Sequence, residues 1–474
     1  MPVRTIAAGG GNWNATATWM EGIVPILGDD VVAAVTSGQL TVNVAAACTS
    51  IDFTNYTNTL TMNATLSVGG SVTLVAAMTI TGTGTLSITA AATITSNGKT
   101  WTGALTLWGG SVSFGDNWTV TGLVTTTTNT TLNNNSITCN GGIKNNGSTT
   151  VGSCIIKLGG GTWTGSSTAA IRNPFQFVGD CTVSGNVAFN NNTMTWISGI
   201  ITTAGSILYV HSVATTLNTS GMTWDQVRFY GVGITHTLTS NLNVGTLLLG
   251  NSTNQTTING STINVTNGIS ALGTGSGQVS GTTNIKITGG TIFGDPSSPA
   301  IAFMIRLNLE IAGDVTIDSG NYFHYGAGTL TYTSGKVTTT GSILILRLAT
   351  TLINMDKIAW NTVNVTAGVT LTMNKFFSGS PKQKTTIQSS TSGTAYTITF
   401  QDTFEKTAKF VKTSDCSLTR KGQLLVLTPN SDKGGNSGIR YINQSPNGIA
   451  KNAPSIVNTM TSPAFGLVTD PCFY

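Results

Sequence analysis

Period-two alternation in very short runs constrains this chain more than any other feature. Leu60, Met62, Ala64, Leu66 and Val68 alternate with Thr, Asn, Thr and Ser. After Gly69-Gly70 the pattern resumes at Val72 and Leu74, then at Met78 and Ile80, then at Leu86 and Ile88. Apolar residues every second position, in runs of about five broken by Gly, Asn or Ala, predict short strands. No helical stripe precedes residue 400.

Longer repeats show order above the strand. Gly199-Ile200-Ile201-Thr202-Thr203-Ala204-Gly205-Ser206-Ile207-Leu208 matches Gly335-Lys336-Val337-Thr338-Thr339-Thr340-Gly341-Ser342-Ile343-Leu344. Ala214-Thr215-Thr216-Leu217 matches Ala349-Thr350-Thr351-Leu352, and Trp224 matches Trp360. Upstream, Gly179-Asp180-Cys181-Thr182-Val183 matches Gly313-Asp314-Val315-Thr316-Ile317. The internal copies span about 123–250 and 249–395, and their offset drifts as small loop insertions would make it drift. A unit that cannot bury its own apolar face must stack on its neighbours. The expected fold is therefore all-β, a parallel β-helix (β-solenoid) rod with a small β-rich C-terminal domain. At roughly 20–25 residues per circuit and about 4.8 Å per circuit, the rod would be on the order of 80 Å long. The expected divisions are a cap or attachment segment at 1–45, a repetitive body at 46–395, and a basic domain or tip at 396–474.

Composition narrows the function. Only 8% of the 474 residues are charged, against about 25% in ordinary globular domains. Mean hydropathy is +0.16, which excludes a charge-rich disordered chain. Between Pro381 and Lys451 there are ten Lys/Arg against four Asp/Glu, so the basic character lies near the C-terminus. No apolar run is long enough for a membrane span or a signal-peptide core. The expectation is a protein with neither signal peptide nor membrane insertion.

Candidate chemistry is sparse. Asp314 and Asp318 make the best local carboxylate pair, with Asp29-Asp30 second; turn roles are the plainer reading of both. His211, His236 and His324 form no ligand motif and read as surface or rim residues. Cys139 and Cys181 alternate with valine in the other copy and read as buried thiols. A bridge between Cys416 and Cys472 stays open. No catalytic residue, cofactor site or metal site is expected, and the chain does not read as an enzyme. No aromatic-interleaved basic motif suggests nucleic acid. Trp101, Trp108 and Trp163 are the candidate glycan contacts.

The phrase containing Trp13, Trp19, Pro25 and Gly28-Asp29, followed by Thr/Gly/Asn-rich coils such as Leu60-Thr61-Met62-Asn63, resembles bacteriophage tail fibres and other virion appendages with a β-helical body. It is also similar to the β-helical stalks of bacterial adhesins. The resemblance implies a structural protein of the virion, commonly a homotrimer, assembled in the host cytoplasm. Its partners would be other virion proteins and a host-surface glycan or protein. Three other readings share the fold: a polysaccharide-degrading tailspike, a passive capsid or tail decoration protein, and an ice-binding solenoid. A strict coil period is required by the last, and the drifting offset disfavours it.

Overall fold

Three strands make one circuit, and each circuit lies on the one before it in parallel register. The computed structural model describes residues 1–442, apart from 128, 147–149, 191–192, 212–213, 220–221, 232, 250–254, 272–277, 293–303, 319–321, 340, 381–383, 405, 421–423 and 428–435. The first face starts with Val3–Thr5, Asp30–Val32 and Ser50–Asp52. The second starts with Leu40–Val42, Thr59–Met62 and Thr79–Gly82. The third starts with Ala46–Cys48, Leu66–Val68 and Leu86–Ile88. The β-solenoid expected from the alternation is the observed architecture.

The alternation fixes what lies inside. On the third face Leu66, Leu86, Leu105, Val124, Ile143, Trp163 and Val183 fall in one column. All are buried in one continuous core. Successive residues of a strand point to opposite faces, so the Thr and Ser between them face outward. Outward hydroxyls stack too: Thr61 and Thr81, 20 positions apart, share a hydrogen bond of 3.1 Å.

The first coil protects its own exposed edge. Val3–Thr5 pairs with Asp30–Val32 on one side. On the other, the Met20 N–H donates to the Thr5 carbonyl at 2.9 Å. The Thr5 N–H donates to the Glu21 carboxylate at 2.8 Å. Unpaired strand edges invite pairing with other chains, and this loop occupies one. Trp19 donates its indole N–H to the Trp13 carbonyl at 2.8 Å, and the two rings meet edge to face. The segment 1–45 thus contains strands of the solenoid together with a loop that packs across the edge of Val3–Thr5.

The internal duplication is preserved in buried bonds. Ser206 donates its hydroxyl to the Val183 carbonyl at 2.6 Å, and its equivalent Ser342 donates to that of Ile317 at 3.2 Å. Thr203 donates to the Thr223 carbonyl, and Thr339 to that of Ala359. Gly199 and Gly335 both sit at positive φ, 94° and 91°. A side chain there would run into the backbone of Gly179 or Gly313 in the circuit below, so only glycine fits. Yet the copies do not face the same way. Val183 is on the third face, whose column continues through Trp224, Val244, Val265 and Ile287. Its equivalent Ile317 is on the first face, in the column of Leu247, Ile269 and Ile292. The repeat unit is whole circuits plus one strand.

The parallel coil continues across residue 396, where the C-terminal domain was expected to begin. Tyr396–Phe400 pairs with Thr370–Met373 behind it and with Cys416–Leu418 ahead. Lys406–Lys409, Leu424–Leu427 and Ile439–Ile442 form a further parallel column. Lys409 and Lys412 stand at outward positions while Ile398, Val411 and Cys416 keep the inward phase buried. The composition changes and the coil does not. Any tip in 443–474 lies outside the described residues.

Cysteines 48, 139, 154, 181 and 416 are buried free thiols, as expected for Cys139 and Cys181; Cys472 lies outside the described residues. Burial pushes Cys48, Cys154, Cys181 and Cys416 up from the usual 9.0 to about 12, and Cys139 upward as well. Between those values the folded chain keeps protons that the unfolded chain releases. Stability is therefore intact below about pH 9 and falls as pH rises towards 12. The melting temperature is expected to drop across that window in a pH series. Cys139→Val, which installs the residue found at 265, should flatten part of the drop.

Candidate functional site

Outward residues of the third face form continuous polar rows. Ser67, Ser87, Thr106, Thr125, Lys144 and Thr164 stand in register, one per circuit. Among the described residues, grooves open along this face or its margins. One of them holds about 420 Å³ and is lined by Thr65, Ser67, Thr85, Thr89, Thr106 and Trp108 among others. That volume falls within the usual range for small-ligand sites.

Trp108 makes this groove distinctive. The run Leu105-Thr106-Leu107 alternates in, out, in, so residue 108 is thrown outward. Its N–H donates to the Ile88 carbonyl at 2.9 Å, which fixes the backbone just before the corner at Gly109-Gly110. The ring stays 53% exposed. The same rung is filled by Thr89 one circuit back and by Thr127 one circuit on. Each donates its hydroxyl to the circuit behind it, Thr89 to Val68 and Thr127 to Leu107, both at 3.2 Å. Trp108 stands between these two threonines with no hydroxyl to donate, and buries only about half of its surface. A flat apolar ring with a polar edge, set among hydroxyls, suits a ligand that is apolar on one face and hydroxylated around its rim.

The other two tryptophan candidates do not belong to the site. Trp101 and Trp163 are each 1% exposed. Trp163 stacks on Phe175 with centroids 4.7 Å apart. Trp101 meets Trp118 edge to face, and its indole N–H donates to the Ala104 carbonyl at 3.2 Å. Both are core residues, because each occupies the inward phase of its strand.

The carboxylates staple turns. Asp314 accepts the Lys336 N–H at 2.7 Å, and its repeat equivalent Asp180 accepts the Ile200 N–H at 2.8 Å. Asp318 lies four residues beyond Asp314 along extended chain, about 13 Å away. Carboxyl pairs that cleave glycosides stand roughly 5–9.5 Å apart. Asp29 is engaged by Arg4, whose guanidinium lies 3.1 Å away and holds the carboxyl below its usual range. Asp30 accepts the Ser50 hydroxyl at 2.6 Å.

Two histidines depart from expectation. His236 and His324 are buried, at 0% and 2% exposure, and are not rim residues. His236 sits at an inward position against Phe229, and His324 accepts the Arg347 guanidinium N–H at 3.1 Å. The side chain of His211 lies outside the described residues. Among the described residues, no group of three or more His, Cys, Asp or Glu side chains gathers as a metal site would. None of their helices is long and apolar enough to cross a membrane.

Comparison with protein-family models, with curated proteins and with solved structures found no match.

The two kinds of tryptophan should separate cleanly in denaturant unfolding. Trp163→Ala is expected to cost about 3–5 kcal/mol, as large core truncations do. Trp108→Ala should stay within about 0.5 kcal/mol of the parent, as exposed substitutions do.

Proposed function

We propose that this chain is an adhesion rod of a virion appendage, a tail fibre or a comparable fibre, that holds host-surface glycan against its third face. Trp108 carries the reading: an exposed indole stands between two bonded threonines, beside a groove rimmed with hydroxyls. Pyranose rings have an apolar C–H face and a hydroxylated rim, which complements both features. The rod supports the reading as well. A parallel coil with a continuous core presents its outer rows without rearrangement, so little ordering entropy opposes binding.

Several copies on one particle would multiply weak contacts into firm attachment. A homotrimer is the proposed state. Self-association would also cover the exposed apolar side chains of Met20, Ile23, Ile26 and Leu27 beside the N-terminal groove. The action proposed is binding and not cleavage, since the carboxylates weighed above are spent on turns and on the Arg4 pair.

A glycan array probed with purified chain, alongside Trp108→Ala, tests this. The parent is expected to retain a defined set of sugars. The variant should lose roughly 2 kcal/mol, about thirtyfold in affinity, as truncated aromatic anchors do. Equal retention by parent and variant would remove Trp108 from the site, and release of shorter sugars by the parent would replace adhesion with cleavage. Sedimentation of the same sample should give three copies; a stable monomer would remove the trimer.

A further inference from the structure

A second groove on the third face, several circuits beyond Trp108, has a different chemistry. It holds about 480 Å³. Two outward rows run along it. In the first, the Thr262 N–H donates to the Asn241 side-chain oxygen at 3.2 Å. Further along, the Asn308 amide donates to that of Asn284 at 2.9 Å, and the Thr329 N–H donates to Asn308 at 2.9 Å. In the second row the Asn264 amide donates to Asn243 at 2.9 Å. Lys286 and Glu310 follow at the same register and pair at 3.1 Å. Leu309 lies between the rows and joins the lining.

We infer that this groove binds a linear, neutral polysaccharide lying along the rod axis, one sugar per circuit; the inference rests on the glycan-binding reading of the third face. Three features carry it. Circuits follow each other at about 4.8 Å, close to the length of one pyranose unit in an extended chain. Each asparagine has two N–H donors and an oxygen with two lone pairs. At least one asparagine stands on each of the four successive circuits that carry Asn241 and Asn243, Asn264, Asn284 and Asn308, so amide groups recur along the groove. The rows are two residues apart, about 7 Å along the strand, which leaves room for one ring between them. Charge selects the ligand class. The amides are neutral and Lys286 and Glu310 cancel, so a phosphate-rich or polyuronic chain finds no net attraction.

The full chain is titrated with neutral linear oligosaccharides of increasing length: β-glucan, mannan and N-acetylglucosamine series. Affinity is expected to climb with each added sugar until the oligomer spans the groove, then level off. Asn284→Ala and Asn308→Ala, both at exposed positions, should each weaken the long oligomers by about three- to tenfold. Thermal unfolding of both variants should match the parent, and Trp108→Ala should keep the length dependence. Affinity that ignores length, or that survives both asparagine changes, overturns the axial site and leaves adhesion at Trp108 standing. Failure of the parent to bind any sugar, on this titration or on the array, removes both.

Discussion

Main-chain hydrogen bonds between successive circuits carry the rest of this structure. Most strands along the body pair in parallel with the strand one circuit behind and one circuit ahead, which gives the buried backbone its partners. The same register stacks each side chain on its counterpart in the next circuit. A core column then forms wherever the inward residues are apolar, as from Leu66 to Val183. The scarcity of charge follows from this. Like charges stacked at every step would repel, whereas threonine and asparagine bond to their own kind, as Thr399 and Thr419 do at 2.7 Å.

Much of this is legible in the sequence, because alternation and repetition are local signals. The coil, the buried Cys139 and Cys181, and the turn role of Asp180 and Asp314 all follow from positions that recur. Phase sorts the tryptophans as well. Trp101 stands between Thr100 and Thr102, and Trp163 between Thr162 and Thr164, which marks both as inward. Trp108 follows Leu-Thr-Leu and takes the outward turn. His236, between Thr235 and Thr237, carries the same inward mark. Reading Trp101 and Trp163 as glycan contacts and His236 as a rim residue overlooked this phase.

Other features were not legible, for identifiable reasons. Lys409 and Lys412 occupy outward positions, so they change composition while the inward pattern continues. The rise in lysine resembled a domain boundary for that reason. Which rows share a face depends on how many residues each corner absorbs, and corners carry no alternation. The axial amide groove therefore emerges only when Asn243, Asn264, Lys286 and Glu310 are set in register.

The offset between the two internal copies has a geometric consequence. Because the unit contains one strand more than a whole number of circuits, lengthening the chain by duplication also rotates it. A motif written once per unit points in a new direction each time it recurs, and returns to its starting bearing only after three units. Growth of such a rod distributes a repeated motif around its circumference, like threads on a screw, and does not line it up along one side.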